Sequence, residues 1–364
     1  MEVQNAPINI SFLRLSSLGD VIVGACVLPF VRAYLQRQYP QGVRLHWVVD
    51  DMFAAVLADS PCIDNLVRIP LKKGGIKAIP RIMRMLQSLE SCEKLIDLQG
   101  LIKSALCGSF IQKGQFWGFA KDSIKEPVAS ICYTHKVHIP YNEHILKRNL
   151  SLVNAALGID EVDESIFYAN RSCAFGFTQG AQTQIEDILR ESCVGSSQMK
   201  RDKASYILLV LESSLESKTY PLDLFVEVID GLLDLKPHIH ILLLQHSTDK
   251  AGRIKERFAT QARVVALPPL SIDLLKALMT KVALVIGGDT GVTHLAWAMQ
   301  KASLTLYGNT APERFALNSL INRFLCGSER ASYKKDDFCI ANIAPSSICA
   351  SVKDILDSIS EDSK

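Results

Sequence analysis

The sequence predicts an α/β protein built from two doubly wound, Rossmann-like parallel-sheet domains. Three observations carry this. The chain has 364 residues, enough for about two domains at the usual ~100–200 residues each. Strand-like and helix-like segments alternate in both halves of the chain. The strand-like segments are short, continuous apolar runs, as expected of strands covered on both faces.

In the first half, Ile8–Leu15 reads as a buried strand and Asp20–Arg37 as a long, mostly apolar helix. Arg44–Val49 is a second strand, with a helix around Met52–Ala58, and Asn65–Ile69 a short third strand. Lys77–Leu89 fits a helix that aligns Lys77, Arg81 and Arg84 on one face. Lys94–Asp97 is a strand ending at an acid, and Lys103–Gln112 a helix.

The second half repeats the rhythm. Tyr206–Leu211 is a strand, and Pro221–Leu233 a helix with proline at its start. Ile239–Leu244 and Arg263–Leu267 are strands around a helix from Asp249 to Phe258. Ser271–Thr280 is a helix whose Ser271 and Asp273 suit its first turn. Strand Val282–Ile286, helix Thr290–Met299 and strand Ser303–Tyr307 follow. The join falls between Gly158 and Ser205, where Gly195–Gln198 reads as linker, giving domains of residues 1–175 and 176–364. The last helix is free to cross back to the first domain, and the polar end Ser358–Lys364 reads as disordered.

Composition narrows the class. Hydrophobic residues make up 48% and charged residues 21%, a globular balance. None of the ten cysteines forms a C-x-x-C pair, and none has zinc spacing with histidine. A reducing cytoplasm suits them, and no metal is expected. Met1–Pro7 lacks a basic n-region, and the uncharged run Val21–Val31 is short for a bilayer span. The expectation is a soluble or peripheral protein. Residues 1–150 hold 18 Lys and Arg against 12 Asp and Glu, or +6, so a net charge of +2 leaves −4 on the remainder. The first half is therefore suited to an anionic partner; ordinary surface variation is the plainer account.

Ligands of open α/β sheets bind beyond the carboxyl ends of strands, and three motifs lie there. Arg14-Leu15-Ser16-Ser17-Leu18-Gly19-Asp20 follows the first strand and lacks the G-x-G-x-x-G fingerprint of dinucleotide sites. Asp20 there reads as a helix cap or as a functional acid. Gly287-Gly288-Asp289-Thr290-Gly291-Val292-Thr293-His294 opens a helix and offers free N–H groups to an anion such as a diphosphate. Leu211–Pro221 carries Ser213, Ser214 and Lys218, hydroxyls and a point charge suited to phosphate.

Together these motifs resemble the ADP-heptose:lipopolysaccharide heptosyltransferases of glycosyltransferase family 9, over about residues 8 to 355. Asp97-Leu98-Gln99-Gly100-Leu101-Ile102-Lys103-Ser104 and Lys125-Glu126-Pro127-Val128-Ala129-Ser130 point to the type I branch, which adds the first heptose to the Kdo of Kdo-lipid A. The resemblance implies the GT-B fold, with the two domains facing a central cleft, acceptor on the first and donor on the second. It implies Asp20 as catalytic base in an inverting displacement and Lys218 as the partner of the donor diphosphate. Ser213, Ser214, Thr290 and Gly291 match phosphate-binding positions, with Val292 and His294 beside them. Asp289 matches an acid that bonds heptose hydroxyls, Leu270 an apolar neighbour of adenine, and Asp249 a partner for ribose. Arg14, Ser17, Gly19, Lys72, Lys103, Lys125, His144 and Arg148 fall to the acceptor. His144 and His294 also read as hydrogen-bonded structural histidines.

The resemblance further implies no cofactor, no metal and no nucleic acid. It implies a cytoplasmic enzyme peripheral to the inner leaflet of the inner membrane, with Lys77, Arg81 and Arg84 among the attracting charges, at ~1 kcal/mol per basic residue near an anionic surface; those three residues equally read as a solvated helix face. Departures from the family pattern are Ser213-Ser214 for a Thr-Thr pair, Lys125 where arginine is frequent, Gly308-Asn309-Thr310-Ala311-Pro312 for G-P-T-x-P, and extra linker at Glu186–Lys203. Other readings are a GT-B enzyme acting on another nucleotide sugar, a binding protein that has lost turnover, and an NAD oxidoreductase lacking its glycine fingerprint.

Overall fold

The computed structural model describes residues 6–160, 162–192 and 205–361. The chain divides into two compact units, Met1–Gly176 and Phe177–Lys364. The linker expected at Gly195–Gln198 and the cysteine at position 193 lie outside the described residues.

In the first unit the elements run β1 (Ile8–Leu13), α1 (Leu18–Ala25), α2 (Leu28–Gln38), β2 (Val43–Asp50), β3 (Asn65–Ile69), α3 (Leu71–Gly74), α4 (Ile79–Gln87), β4 (Cys92–Asp97), α5 (Ile102–Ser109), β5 (Lys113–Phe119), β6 (His135–Val137), α6 (Ile145–Leu157) and α7 (Glu164–Phe167). The sheet has the order β3-β2-β1-β4-β5-β6, with every neighbouring pair parallel. Its centre is dry: Phe12, Leu13, Leu45, Trp47, Leu95 and Ile96 have no measurable exposure.

The long helix expected over Asp20–Arg37 is two helices. Pro29 stands at the second position of α2, and without an N–H it cannot continue the hydrogen-bond ladder from α1. By length and composition Leu18–Gln38 would suffice to cross a bilayer, yet Val21, Ile22, Val23, Val27, Leu28, Val31 and Leu35 are buried in the unit's own core. The helix expected around Met52–Ala58 is a 3-10 turn at Asp51–Val56, started by Asp50, whose side chain accepts from the Met52 N–H. Lys77 lies in a separate 3-10 turn ahead of α4, so the basic row splits, with Arg81 and Arg84 on the helix.

The second unit runs α8 (Gln179–Ser192), β7 (Ser205–Val210), α9 (Leu222–Leu235), β8 (Ile239–Leu244), α10 (Lys250–Arg257), β9 (Val264–Ala266), α11 (Ile272–Met279), β10 (Val282–Gly288), α12 (Gly291–Ala298), β11 (Ala302–Tyr307), β12 (Asn322–Cys326) and α13 (Pro345–Glu361). Its sheet order is β12-β11-β10-β7-β8-β9, again parallel throughout. Ile207, Leu209, Ile241, Leu243, Leu284, Ile286 and Leu304 build the core. Residues 186–192, expected as linker, belong to α8. The closing helix α13 buries Ile348, Val352, Ile355 and Leu356 in this second core. It stays helical through positions expected to be disordered, up to Glu361.

Counted from its first strand, each sheet has the same order, with the chain reversing direction between two neighbouring strands. Those pairs are β1 and β4 in the first unit and β7 and β10 in the second. Loops leaving such a pair diverge and open a crevice at the strands' carboxyl ends.

Candidate functional site

In the first unit the crevice is edged by the loops after β1 and β4. Arg14, 7% exposed, donates through Nη1 to the Leu98 carbonyl, and its Nη2 lies 2.6 Å from Asp20 Oδ1. The other oxygen, Oδ2, accepts from the Ser17 N–H at 3.1 Å and the Ser17 hydroxyl at 2.8 Å. Ser17, not Asp20, is the N-cap of α1; Asp20 stands three residues on as the acidic member of a capping box, accepting from the Ser17 N–H, with Gly19 beside it in the first turn.

The loop after β4 locks onto this one. Gln99 Oε1 accepts from the Leu15 N–H at 2.7 Å, and Lys103 Nζ donates to Ser16 Oγ at 2.6 Å. The loop's own shape comes from Asp97, which is fully buried. It accepts from the Gln99 N–H at 2.8 Å, the Ser104 hydroxyl at 2.7 Å and the Tyr133 hydroxyl at 2.8 Å. Burial pushes the Asp97 carboxyl above the usual carboxylate value, against the pull of these bonds. Burial and the Lys72 and Arg14 cations lower Lys103, opposed by Asp50 and Glu126. The first-unit crevice thus gathers cations around one carboxylate, an arrangement that favours an anionic ligand bearing a hydroxyl.

Other residues expected here divide. Lys72 is exposed, with Nζ 4.8 Å from the Phe53 ring centroid. Lys125 is exposed and lies 5.7 Å from the Tyr141 ring centroid. His144 caps α6, its Nδ1 accepting from the Leu146 N–H at 3.4 Å, as the structural reading allowed. Arg148 corrects the expectation. It is 3% exposed, and its guanidinium donates to the carbonyls of Ile139, Pro140 and Ser123 at 3.2, 2.7 and 2.7 Å. Facing inward, it satisfies the buried Ile139 and Ser123 carbonyls, while the Pro140 carbonyl also accepts from the Glu143 N–H at 3.1 Å.

In the second unit the loops after β7 and β10 meet. Lys218 Nζ sits 2.5 Å from Asp289 Oδ2, with side chains 18% and 10% exposed. Thr310 donates to the same oxygen at 3.1 Å, and His294 Nε2 lies 3.1 Å from Oδ1. Burial alone would raise the Asp289 carboxyl, but the His294 hydrogen bond and the Lys218 ammonium outweigh it and hold the acid well below the usual range. The loops approach so closely that a Cβ on Gly288 would lie 2.0 Å from the Lys218 carbonyl oxygen, so only glycine fits.

Thr290 is the N-cap of α12, and its N–H donates to Thr293 Oγ1 at 3.2 Å. Gly291 and Val292, both half-buried, form the helix's first turn, where N–H groups lack intrahelical acceptors and the dipole favours an anion. Ser213 donates its N–H to Thr219 Oγ1 at 3.2 Å, while its buried hydroxyl oxygen has no partner among the described residues. Ser214 is exposed. A buried, unpaired hydroxyl carries a desolvation cost that a phosphate oxygen would relieve. Leu270 is half-buried just before α11, and Asp249 is exposed at the start of α10.

Two second-unit residues escaped the sequence reading. Glu212 accepts from the N–H groups of His246, Ser247 and Thr248 at 3.2, 3.0 and 2.8 Å, drawing the loop after β8 to the loop after β7. Its burial is outweighed by these bonds and the Thr248 hydroxyl, which lower its carboxyl to about 2. Asn309, 2% exposed, donates to Ser217 Oγ at 3.2 Å and to the Lys334 carbonyl at 2.6 Å, steadying the turn that carries Lys218. The only sequence signal was their position within or beside motifs; the partners are distant in sequence. Among the described residues, no group of three or more His, Cys, Asp or Glu side chains could hold a metal ion.

Residues 82–346 match the model of glycosyltransferase family 9 (heptosyltransferase). The chain belongs to this family. As a glycosyltransferase it is 30% identical over 354 residues to lipopolysaccharide heptosyltransferase 1 of Campylobacter coli, covering 95% of this chain and 98% of the relative. It is 25% identical over 308 residues to the Escherichia coli K12 protein of the same name, covering 82% and 88%. The solved structure of the E. coli heptosyltransferase WaaC with ADP shares the fold at a TM-score of 0.73, with 19% identity, over 96% of this chain and 100% of that one. The transferase thus has the two-domain α/β GT-B fold, and its Asp20 and Lys218–Asp289 clusters lie at the crevice of one sheet each.

Proposed function

We propose that this glycosyltransferase moves L-glycero-D-manno-heptose from ADP-heptose to a Kdo residue of Kdo-lipid A, with inversion and without a metal, in lipopolysaccharide inner-core assembly. The observation that carries this is the Lys218–Asp289 pair at the second sheet's crevice, 2.5 Å apart and beside the first turn of α12. The names of the relatives support heptosyl transfer to lipopolysaccharide, and the WaaC complex with ADP supports an ADP-linked donor; the Kdo acceptor is what the sequence resemblance implies.

In this reading the α12 N-terminus, Ser213, Ser214 and Lys218 receive the diphosphate, and Asp289 accepts from heptose hydroxyls. Leu270 packs on adenine and Asp249 meets the ribose. The acceptor's carboxylates and phosphates meet Arg14, Lys72, Lys103 and Lys125. Asp20 takes the proton from the Kdo hydroxyl as its oxygen bonds to the anomeric carbon. The bond from that carbon to ADP breaks on the opposite face, and the Lys218 ammonium offsets the charge building on the departing phosphate. No step calls on a cation beyond these side chains.

Contact with the cytoplasmic face of the inner membrane belongs to the same reading. Ile102 and Leu106 on α5 and Val128 and Ile131 on the adjoining 3-10 turn are 39%, 51%, 60% and 77% exposed. They stand beside Lys103 and Lys125, so a lipid-linked acceptor would present its sugar to the crevice and its chains to an apolar surface.

The deciding experiment mixes the purified chain with Kdo-lipid A and a panel of nucleotide sugars in EDTA. A mass gain of one heptose, from ADP-heptose alone, is the expected result. Transfer of a different sugar, or a strict need for a divalent cation, overturns the reading.

A further inference from the structure

We propose that Trp297 is a positioning residue for the donor site: its indole N–H holds His294 as the Nε2–H tautomer, so that His294 always donates to Asp289 and leaves the acid's other oxygen to Lys218. This rests on the reading of Lys218 and Asp289 as donor-binding groups.

The indole nitrogen of tryptophan is only a hydrogen-bond donor, and Trp297 Nε1 lies 3.2 Å from His294 Nδ1. Nδ1 must therefore present a lone pair, and a neutral imidazole then carries its hydrogen on Nε2. That nitrogen is 3.1 Å from Asp289 Oδ1, which accepts. The other tautomer would set two N–H groups against each other at one end of the ring. At the other end it would set a lone pair against a carboxylate oxygen. His294 and Trp297 are 6% and 2% exposed, so water offers little relief from either mismatch.

Geometry makes the arrangement stiff. Both side chains come from α12, three residues apart, and their rings meet edge to face at 6.0 Å and 88°. The helix thus fixes the indole against the imidazole, and the imidazole orients the carboxylate. Asp289 receives His294 on Oδ1, and Lys218 and Thr310 on Oδ2. With the carboxylate's rotation stopped, the Lys218 ammonium is held in place before any ligand arrives.

The direct test is nitrogen-15 NMR of the imidazole in the full chain, with and without the Trp297→Phe substitution, which keeps an aromatic ring and removes the N–H. Wild type is expected to show a pyridine-like Nδ1 and a protonated Nε2. Trp297→Phe is expected to show mixed tautomers and a KM for ADP-heptose raised about fivefold, with kcat within a factor of two. A protonated Nδ1 in the wild type overturns the proposal, whether or not the variant folds. So does a variant that keeps the wild-type tautomer and KM. The NMR measurement needs no turnover, so it stands apart from the heptosyl-transfer assay that tests the function itself.

Discussion

Lys218 and Asp289 are 71 residues apart in the chain, and their charged groups are 2.5 Å apart in the fold. Removing one partner of so enclosed a pair leaves the other charged without its counterion, at a cost of about 3–5 kcal/mol. Lys218→Met is therefore expected to lower the melting temperature and abolish ADP binding. Lys218→Met/Asp289→Asn should melt higher than the sum of the single losses dictates. Calorimetry of the four proteins checks this, and strict additivity would refute an energetic pair.

Asp20 has two jobs that one substitution separates. Asp20→Asn keeps an oxygen for the Ser17 N–H and hydroxyl but loses the carboxylate that faces Arg14. Stability is expected to fall by about 1 kcal/mol, and the transfer rate by about 10²–10⁴-fold. ADP-heptose affinity, measured by titration, should stay at the wild-type level. Undiminished turnover would remove Asp20 from the base's role.

Arg148 and Lys103 separate structure from binding on the first unit. Arg148→Met strands the buried Ile139 and Ser123 carbonyls and is expected to cost about 3 kcal/mol of stability. Lys103→Met loses an exposed ammonium beside Ser16, so it should raise the acceptor KM with little change in melting. Exchanged outcomes would return Arg148 to the acceptor site.

Glu212 predicts an acid limb of stability. Its folded-state carboxyl is lowered from the ordinary 4.5 to about 2 by bonds to the 246–248 loop. A lowered acid adds stability that is complete above the unfolded value and lost as the pH falls through the folded one. The chain should therefore lose melting temperature between about pH 4.5 and 2, and Glu212→Gln should lose less over that window. Parallel pH profiles for the two proteins would refute the assignment.

Local chemistry set much of this molecule. The run Ile239–Leu244 was legible as a strand to the residue, because burial on both faces leaves aliphatic side chains everywhere but at His240. The motifs Arg14–Asp20, Leu211–Pro221 and Asp289–His294 were legible because glycine, hydroxyl and charge cluster at strand ends for few other reasons. The break between α1 and α2 was legible in principle from Pro29 but hidden by the unbroken apolar pattern on either side of it.

Sequence by itself, then, determined which residue types stand at the end of each strand, since that follows from hydrophobic pattern and turn chemistry over a few residues. Tertiary structure alone decided which of those ends become neighbours. Lys218 meets Asp289 because β7 pairs with β10, and Ser16 meets Lys103 because β1 pairs with β4. It alone turned Arg148 inward, where the buried Ile139 and Ser123 carbonyls needed a donor. Strand order is a property of the whole sheet, chosen by packing across long loops, and no short stretch of sequence encodes it.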